Sequence, residues 1–202
     1  MPPAQLLIAT TSEGKLREWK SLLAELSLQL VSLGDLGISF DVEETGSTYA
    51  ENAALKVEAY GRASGLLTLA EDSGLSVRAL GGRPGVQSAR WEGSNYAHKN
   101  ALLIRLLEGT TGEARACRYA CVTALRHPDG RTWHVRGELR GRIAWSAAGG
   151  GGFGYDPVFY IPRLGRTLAE VSVDQKDRIS HRGRAARRVG PILRQLIESG
   201  TP

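Results

Sequence analysis

Apolar positions near the N-terminus change from a continuous run to a helical period. Residues 5–9 are a short apolar run, which predicts a buried strand. Residues 10–14 are small and polar and predict a turn. Apolar side chains then recur at helical spacing, with polar residues between them, at Leu16, Trp19, Leu22, Leu23 and Leu26. The pattern therefore predicts a strand, a polar turn and an amphipathic helix in succession.

Patterns farther along the chain predict strands that alternate with helices, followed by a hairpin. Thr48 and Glu51 have the spacing of a capping box, so an Ala-rich helix is expected to follow and to continue through Val57. Further strands are predicted at residues 66–70, 75–80, 114–126, 132–139 and 158–161, and further helices at residues 95–107 and 185–197. This order favours an α/β fold with a mixed sheet.

The composition is that of an ordinary globular protein. The 202 residues are 42% hydrophobic and 23% charged, which excludes a disordered or fibrous chain and suits one domain spanning residues 1–202. No run of about 18 apolar residues is present, so no membrane span is expected, and no basic segment precedes the first apolar run as it would in a secretion signal. Cys117 and Cys121 share a predicted strand at a spacing that does not favour a disulfide, which fits a reducing cytoplasm.

Positive charge is concentrated near the C-terminal end. Residues 174–194 hold seven basic and two acidic residues, so the net charge of this segment equals the +5 of the entire chain. Composition alone leaves three interpretations open: a solvated basic helix, a site for a polyphosphate substrate, or a nucleic-acid-binding surface.

The first polar turn has the chemistry of an anion site. Free N–H groups at a helix start and the positive end of the helix dipole favour an anion, and the hydroxyls of the turn and Lys15 add donors. The turn is not a P-loop, because Ala9 stands where that motif needs glycine and Leu16 where it needs a hydroxyl. Simple capping of the helix by the hydroxyls is the alternative.

Two acidic pairs could hold a metal ion. Glu43-Glu44 lies in a loop before the capping box, and Glu71-Asp72 follows a predicted apolar strand, with Ser73-Gly74 as a turn. Hard carboxylate oxygens on two loops suit Mg²⁺, which usually takes one or two protein carboxylates alongside phosphates. Two solvated turns are the alternative for either pair alone.

A glycine-rich loop and a His-Arg pair complete the candidate chemistry. Residues 149–154 match a dinucleotide-binding glycine pattern, but Tyr155-Asp156-Pro157 follows where that motif requires a helix. Phe153 could stack on a base, and His181-Arg182 could donate hydrogen bonds to a carbonyl oxygen. A phosphate cradle, a metal and a base-reading pocket together indicate a nucleotide site.

Seven ordered blocks resemble the inosine/xanthosine triphosphate pyrophosphatases, which remove non-standard purine nucleoside triphosphates. The blocks lie at residues 8–15, 43–46, 49–53, 70–75, 81–85, 151–157 and 179–183. The resemblance implies Mg²⁺-dependent hydrolysis of ITP, dITP or XTP to the nucleoside monophosphate and pyrophosphate. It also implies a homodimer of two-lobed α/β subunits. Each subunit is expected to have a long, twisted mixed sheet with flanking helices and an active-site cleft between the lobes.

The resemblance also implies a role for each matching residue. Asp72 is expected to be the catalytic acid/base and a metal ligand, and Glu43 the second metal ligand. The residues expected to bind the substrate are Thr10, Thr11, Ser12, Glu13, Gly14, Lys15, Lys56, Ser73, Phe153, Gly154, Tyr155, Asp156, Lys176, His181 and Arg182. The family usually has Thr-Gly-Asn where this chain has Thr10-Thr11-Ser12, so one amide donor to phosphate is missing.

Two other functions remain as alternatives. One is a house-cleaning pyrophosphatase with a different base preference, such as a modified pyrimidine. The other is a non-catalytic nucleic-acid-binding protein that uses residues 174–194, although the acidic pairs would repel a nucleic-acid backbone. We expect neither nucleic-acid nor membrane binding.

Overall fold

The computed structural model describes Ala4–Ser199. Within these residues, seven strands run over Ala4–Ala9 (β1), Leu28–Ser32 (β2), Leu67–Val77 (β3), Ala116–Arg126 (β4), Thr132–Ile143 (β5), Phe159–Ile161 (β6) and Arg166–Thr167 (β7). The same part of the chain has five α-helices, over Glu13–Leu22 (α1), Tyr49–Ser64 (α2), Tyr96–Leu106 (α3), Val173–Ile179 (α4) and His181–Glu198 (α5).

The strands form one open sheet in the order β2-β1-β3-β4-β5-β6-β7. β1 is parallel to both β2 and β3, whereas β6 is antiparallel to both β5 and β7. The sheet is therefore mixed, and the predicted α/β class is confirmed. None of the described helices combines the length and the apolar character that crossing a bilayer requires.

The chain forms two compact units. The first unit comprises Met1–Asp72, Cys121–Gly137 and Arg182–Pro202, and the second comprises Ser73–Ala120 and Glu138–His181. In the first unit, alternate residues of β1 enter two separate cores: Leu6 and Ile8 pack with Trp19, whereas Leu7 packs with Tyr60. This alternation explains why β1 is apolar from Leu6 to Ala9, since both faces of the strand are buried there.

Local signals account for most of the element boundaries. Thr48 and Glu51 form the predicted capping box at the start of α2, and Asn95 caps α3. The predicted hairpin turn is closed by the amide of Gly130, which donates to the carbonyl of His127 at 2.9 Å. Both cysteines are free and buried.

The prediction of two strands with a turn at Ser73-Gly74 is wrong. β3 is continuous over Leu67–Val77 and passes through Glu71 and Asp72, whose side chains are 2% and 4% exposed. Two adjacent carboxylates inside a buried strand suggested a turn, because unpaired buried charges are strongly unfavourable. The strand continues because partners from distant parts of the chain surround Glu71, as described below.

The sequence patterns also missed three elements. β2, β7 and α4 were not predicted, and the C-terminal helix is longer than expected because α5 begins at His181 and continues through Pro191. β7 has two residues and α4 has seven, so neither is long enough to show a clear period.

Candidate active site

The turn between β1 and α1 caps the helix and leaves Lys15 in its first turn. The Ser12 side chain accepts a hydrogen bond from the Lys15 amide at 3.4 Å, and the Ser12 amide donates to Thr10 Oγ1 at 3.2 Å. Ser12 therefore does the capping that we considered as the alternative to anion binding. Thr11 is exposed and does not have a positive φ, so its backbone does not require the glycine that is usual at this position.

Glu71 is a fully buried carboxylate that several donors hold in place. Its Oε1 lies 3.2 Å from Lys15 Nζ and accepts from Arg182 Nη2 at 2.8 Å. Its Oε2 accepts from Arg182 Nε at 2.8 Å, from Trp19 Nε1 at 3.0 Å and from the Cys121 thiol at 3.0 Å. Burial opposes ionisation, but the adjacent Arg182 and Lys15 outweigh it and hold the pKa of Glu71 well below its usual range.

Asp72 follows Glu71 on β3, so its side chain projects to the opposite face of the strand. Asn52 on α2 donates from Nδ2 to Asp72 Oδ2 at 3.0 Å, and Lys56 Nζ lies 4.0 Å from Asp72 Oδ1. Burial raises the pKa of Asp72, and this effect is opposed by Lys56, Lys15 and the hydrogen bond from Asn52. A buried carboxylate with a raised pKa is a better base than an exposed one.

Asn52 joins the loop before α2 to Asp72. Its Oδ1 accepts from the Gly46 amide at 2.8 Å, while its Nδ2 donates to Asp72. A Cβ on Gly46 would lie 2.6 Å from the Cβ of Glu51 and 2.7 Å from Asn52 Oδ1, so only glycine fits here. Sequence reasoning missed Asn52 as a site residue, although it directly follows the capping-box glutamate.

The two residues of the Glu43-Glu44 pair have different environments. Glu43 is exposed. Glu44 pairs with the Lys56 ammonium, which also lies beside Asp72, and the Glu44 charge contributes to raising the pKa of Asp72. Lys56 therefore connects Glu44 to Asp72, and the metal-ligand role expected of Glu43 stays a prediction.

The first unit offers oxygen ligands suited to a divalent cation. Within Ala4–Ser199 no group of three or more His, Cys, Asp or Glu side chains could hold a metal by itself. Asp72 and Glu44 are hard carboxylate donors near one lysine. This set fits Mg²⁺, which commonly takes one or two protein carboxylates and completes its shell with water and substrate phosphates.

In the second unit, the glycine-rich loop is organised around Asp156. Lys176 on α4 pairs with the Asp156 carboxylate and lies over the Phe153 ring, 5.1 Å from its centroid. The Phe153 amide donates to Asp156 Oδ2 at 2.8 Å. Gly152 has a φ of +69°, and a Cβ there would lie 2.1 Å from Asp156 Oδ2, so the loop can approach Asp156 only with glycine at this position.

A stack of aromatic rings lies beside this loop in the second unit. His181 is 4% exposed and stacks on Tyr119, with ring centroids 4.4 Å apart. The Tyr119 hydroxyl accepts from the Tyr155 amide at 3.1 Å. The stack links the start of α5 to the glycine-rich loop, so the structure brings together the predicted residues His181 and Tyr155 through Tyr119.

The remaining predicted site residues have diverse environments. Glu13 is exposed, and Gly14, Ser73 and Gly154 are partly buried. Arg182 is 1% exposed; besides its contacts with Glu71, its Nη1 pairs with Glu18. Three nitrogens of its guanidinium therefore face carboxylates, and base recognition by Arg182 stays a prediction.

Comparisons with known proteins agree over nearly the whole chain. The model of the Ham1 family matches residues 6–191. A dITP/XTP pyrophosphatase of Symbiobacterium thermophilum is 46% identical over 99% of this chain and 100% of that protein, and one of Thermus thermophilus is 44% identical over 98% and 94%. The Ham1 protein structure from Staphylococcus aureus has a TM-score of 0.83 at 38% identity, covering 95% of this chain and 98% of the other.

Proposed function

Because the chain belongs to the Ham1 family, we propose that it hydrolyses ITP, dITP and XTP to the nucleoside monophosphate and pyrophosphate. One observation carries the proposal: the buried Asp72 is oriented by Asn52 and lies under the influence of two lysines, Lys15 and Lys56. A carboxylate of raised pKa beside two cations is the arrangement needed to attack a polyanionic phosphate with water. The relatives named above as dITP/XTP pyrophosphatases support this substrate class.

In the proposed reaction, Asp72 accepts a proton from water as the water oxygen bonds to the α-phosphorus. The bond from the α-phosphorus to the oxygen bridging to the β-phosphorus breaks, and pyrophosphate leaves. Asn52 fixes the orientation of Asp72, so the base does not need to rotate during attack. Lys15 and Lys56 offset the charge that develops on the phosphate oxygens.

The metal is proposed to be Mg²⁺ held by Asp72 and Glu44. When bound, it would supply electrostatic stabilisation of the phosphate oxygens and lower the pKa of the attacking water. Lys56 contacts both carboxylates and offsets part of their negative charge in the free protein.

Paired substitutions separate Glu44 from Glu43. Glu44→Gln is expected to raise the Mg²⁺ concentration for half-maximal rate about 10- to 100-fold, because it removes a carboxylate beside Asp72. Glu43→Gln, at an exposed position next in sequence, is expected to change that concentration less than about 2-fold. Mg²⁺ titrations of the steady-state rate measure both. The reverse ranking would restore Glu43 as the metal ligand.

Phosphates are proposed to bind at residues 10–15, where the positive end of the α1 dipole and the Lys15 ammonium favour an anion beside the Ser12 cap. Phe153 and His181 are proposed to contact the purine ring. A 6-oxo purine presents a hydrogen-bond acceptor where adenine presents a donor. A donor from the protein therefore forms a hydrogen bond with hypoxanthine or xanthine but is left unpaired by adenine. The homodimer implied by the resemblance and the cytoplasmic location inferred from the cysteines also stay proposals.

A nucleotide panel tests the proposed function. Pyrophosphate release is measured with ITP, dITP, XTP, GTP, ATP and dUTP in the presence of Mg²⁺. We expect kcat/KM for ITP, dITP and XTP to exceed that for ATP by about 10⁴-fold, because mismatched buried hydrogen-bonding groups are strongly penalised. A preference for dUTP would favour the pyrimidine alternative, and binding of RNA without turnover would favour the nucleic-acid alternative.

Two of the seven basic residues within residues 174–194 are buried, which reduces the charge that the nucleic-acid alternative can use. Lys176 and Arg182 are 6% and 1% exposed, and both face carboxylates. Both cations form ion pairs inside their units and are therefore not available to the phosphate backbone of a nucleic acid.

A further inference from the structure

Glu71 has no role in the reaction proposed above, yet its carboxylate has the densest set of polar contacts around the site. It is 2% exposed and lies next to the proposed base in the chain. Its partners come from α1, β4 and α5, elements separated from it by as many as 111 residues. A carboxylate inside a strand needs such partners to remain ionised.

The contacts divide the two oxygens of Glu71 between different tasks. Oε2 accepts from the Arg182, Trp19 and Cys121 side chains. Oε1 accepts from the other arm of Arg182 and lies 3.2 Å from Lys15 Nζ. The paired bonds from a planar guanidinium fix the carboxylate in both position and rotation. Oε1 therefore presents a fixed negative charge to Lys15.

Lys15 is mobile unless something holds it. Its side chain has four rotatable bonds and an ammonium that makes no directional fork. Its side chain is 18% exposed, and its ammonium lies 3.2 Å from Glu71 Oε1. The Asp72 charge also acts on Lys15, which places the ammonium within the electrostatic reach of the proposed base.

We propose that Glu71 is a positioning residue that holds the Lys15 ammonium in place for the phosphates of the substrate. This inference rests on the proposed function, since it assigns Lys15 to the triphosphate. Arg182 fixes Glu71, Glu71 fixes Lys15, and the Lys15 ammonium meets the phosphate. Prior ordering of a charged group removes reorganisation from the reaction step, and a displacement of about 1 Å can lower a rate about 100-fold.

A double-mutant cycle distinguishes positioning from a merely structural role. The variants are Glu71→Gln, Lys15→Met and the double variant, each assayed for kcat and KM with ITP and for Kd with tripolyphosphate, a probe that needs no turnover. In the wild-type background, we expect Glu71→Gln to lower kcat about 10- to 100-fold and to raise the Kd for tripolyphosphate. In the Lys15→Met background, the same substitution is expected to change neither quantity by more than about 2-fold.

Cys121→Ala is the matched control. The Cys121 thiol donates to Oε2, whereas the 3.2 Å ion pair with Lys15 is made by Oε1, so removal of the thiol keeps both partners of that pair. We expect kcat to stay within about 2-fold of the wild-type value. If Glu71→Gln does not fold, Glu71→Asp replaces it in the cycle, because this change keeps the charge and withdraws the carboxylate from Lys15 by one methylene.

The inference would be overturned if Glu71→Gln changed kcat and Kd equally in the wild-type and Lys15→Met backgrounds. It would also be overturned if the substitution changed neither quantity in the wild-type background. The pH profile gives a separate readout: without the Glu71 charge, the pKa of Lys15 falls, and the alkaline limb of kcat/KM moves to lower pH. The Kd cycle keeps the two proposals apart. Wild-type protein without ITP turnover would contradict the proposed function alone, whereas an additive Kd cycle would contradict the inference alone.

Discussion

Asp72→Asn is expected to lower kcat for ITP by about 10⁴-fold. The substitution removes the proton acceptor and one proposed metal ligand, while its size and shape are almost unchanged. General base catalysis alone contributes about 10²–10⁴-fold. Loss of the metal ligand places the expected effect at the upper end of that range. Initial rates of pyrophosphate release at saturating ITP and Mg²⁺ measure it.

The stability of Asp72→Asn separates chemistry from folding. Burial raises the pKa of Asp72 in the folded protein, so the ionised form is disfavoured there relative to the unfolded chain. A raised folded pKa contributes stability that is present at low pH and is lost as pH rises through the folded pKa. The neutral amide avoids this loss, so the variant is expected to be at least as stable as wild type at pH 7.

The two proteins are expected to converge in stability as pH falls below the usual pKa of aspartate. Urea unfolding at pH 7 and at acid pH measures this convergence. Turnover near the wild-type rate would remove Asp72 from catalysis. A variant that lost both activity and folding at pH 7 would contradict the pKa argument, because the asparagine can still accept the hydrogen bond from Asn52.

Much of the fold was predictable because it is encoded locally. The polar turn between β1 and α1, the capping box of Thr48 and Glu51 and the hairpin turn near Gly130 each depend on neighbours within a few residues. The course of β3 depends instead on distant partners. Glu71 stays in the strand because Arg182, 111 residues later, neutralises it, and no local pattern contains that information.

The candidate site also has features that local sequence predicts and features that depend on distant contacts. Family-like motifs located Asp72, Lys15 and the loop around Asp156, since each belongs to a short block of sequence. The proposal of Glu44 in place of Glu43 depends on the position of Lys56, and the contact of Asn52 with Asp72 depends on how α2 lies beside β3. Neighbouring acidic residues have equal chemistry in a sequence, and only their contacts distinguish them.

Arg182→Ala is expected to lower the free energy of unfolding by about 3–5 kcal/mol. It removes one partner of a buried ion pair and leaves Glu71 and Glu18 without their arginine. Burial opposes the charge on Glu71, and Arg182 and Lys15 hold its pKa low, so the pair contributes stability at neutral pH that is lost as pH falls through that lowered pKa. The difference between variant and wild type should therefore shrink in acid.

Arg194→Ala, at an exposed position on the same helix, is the control and is expected to change stability by less than about 0.5 kcal/mol. Urea unfolding measures all three proteins. The ratio of ITP to ATP turnover, measured where Arg182→Ala is folded, then tests the base-recognition role that the resemblance implies. A smaller ITP-to-ATP ratio supports that role. An unchanged ratio would mean that Arg182 only holds Glu71 in place. Stability equal to that of Arg194→Ala would contradict the buried ion pair itself.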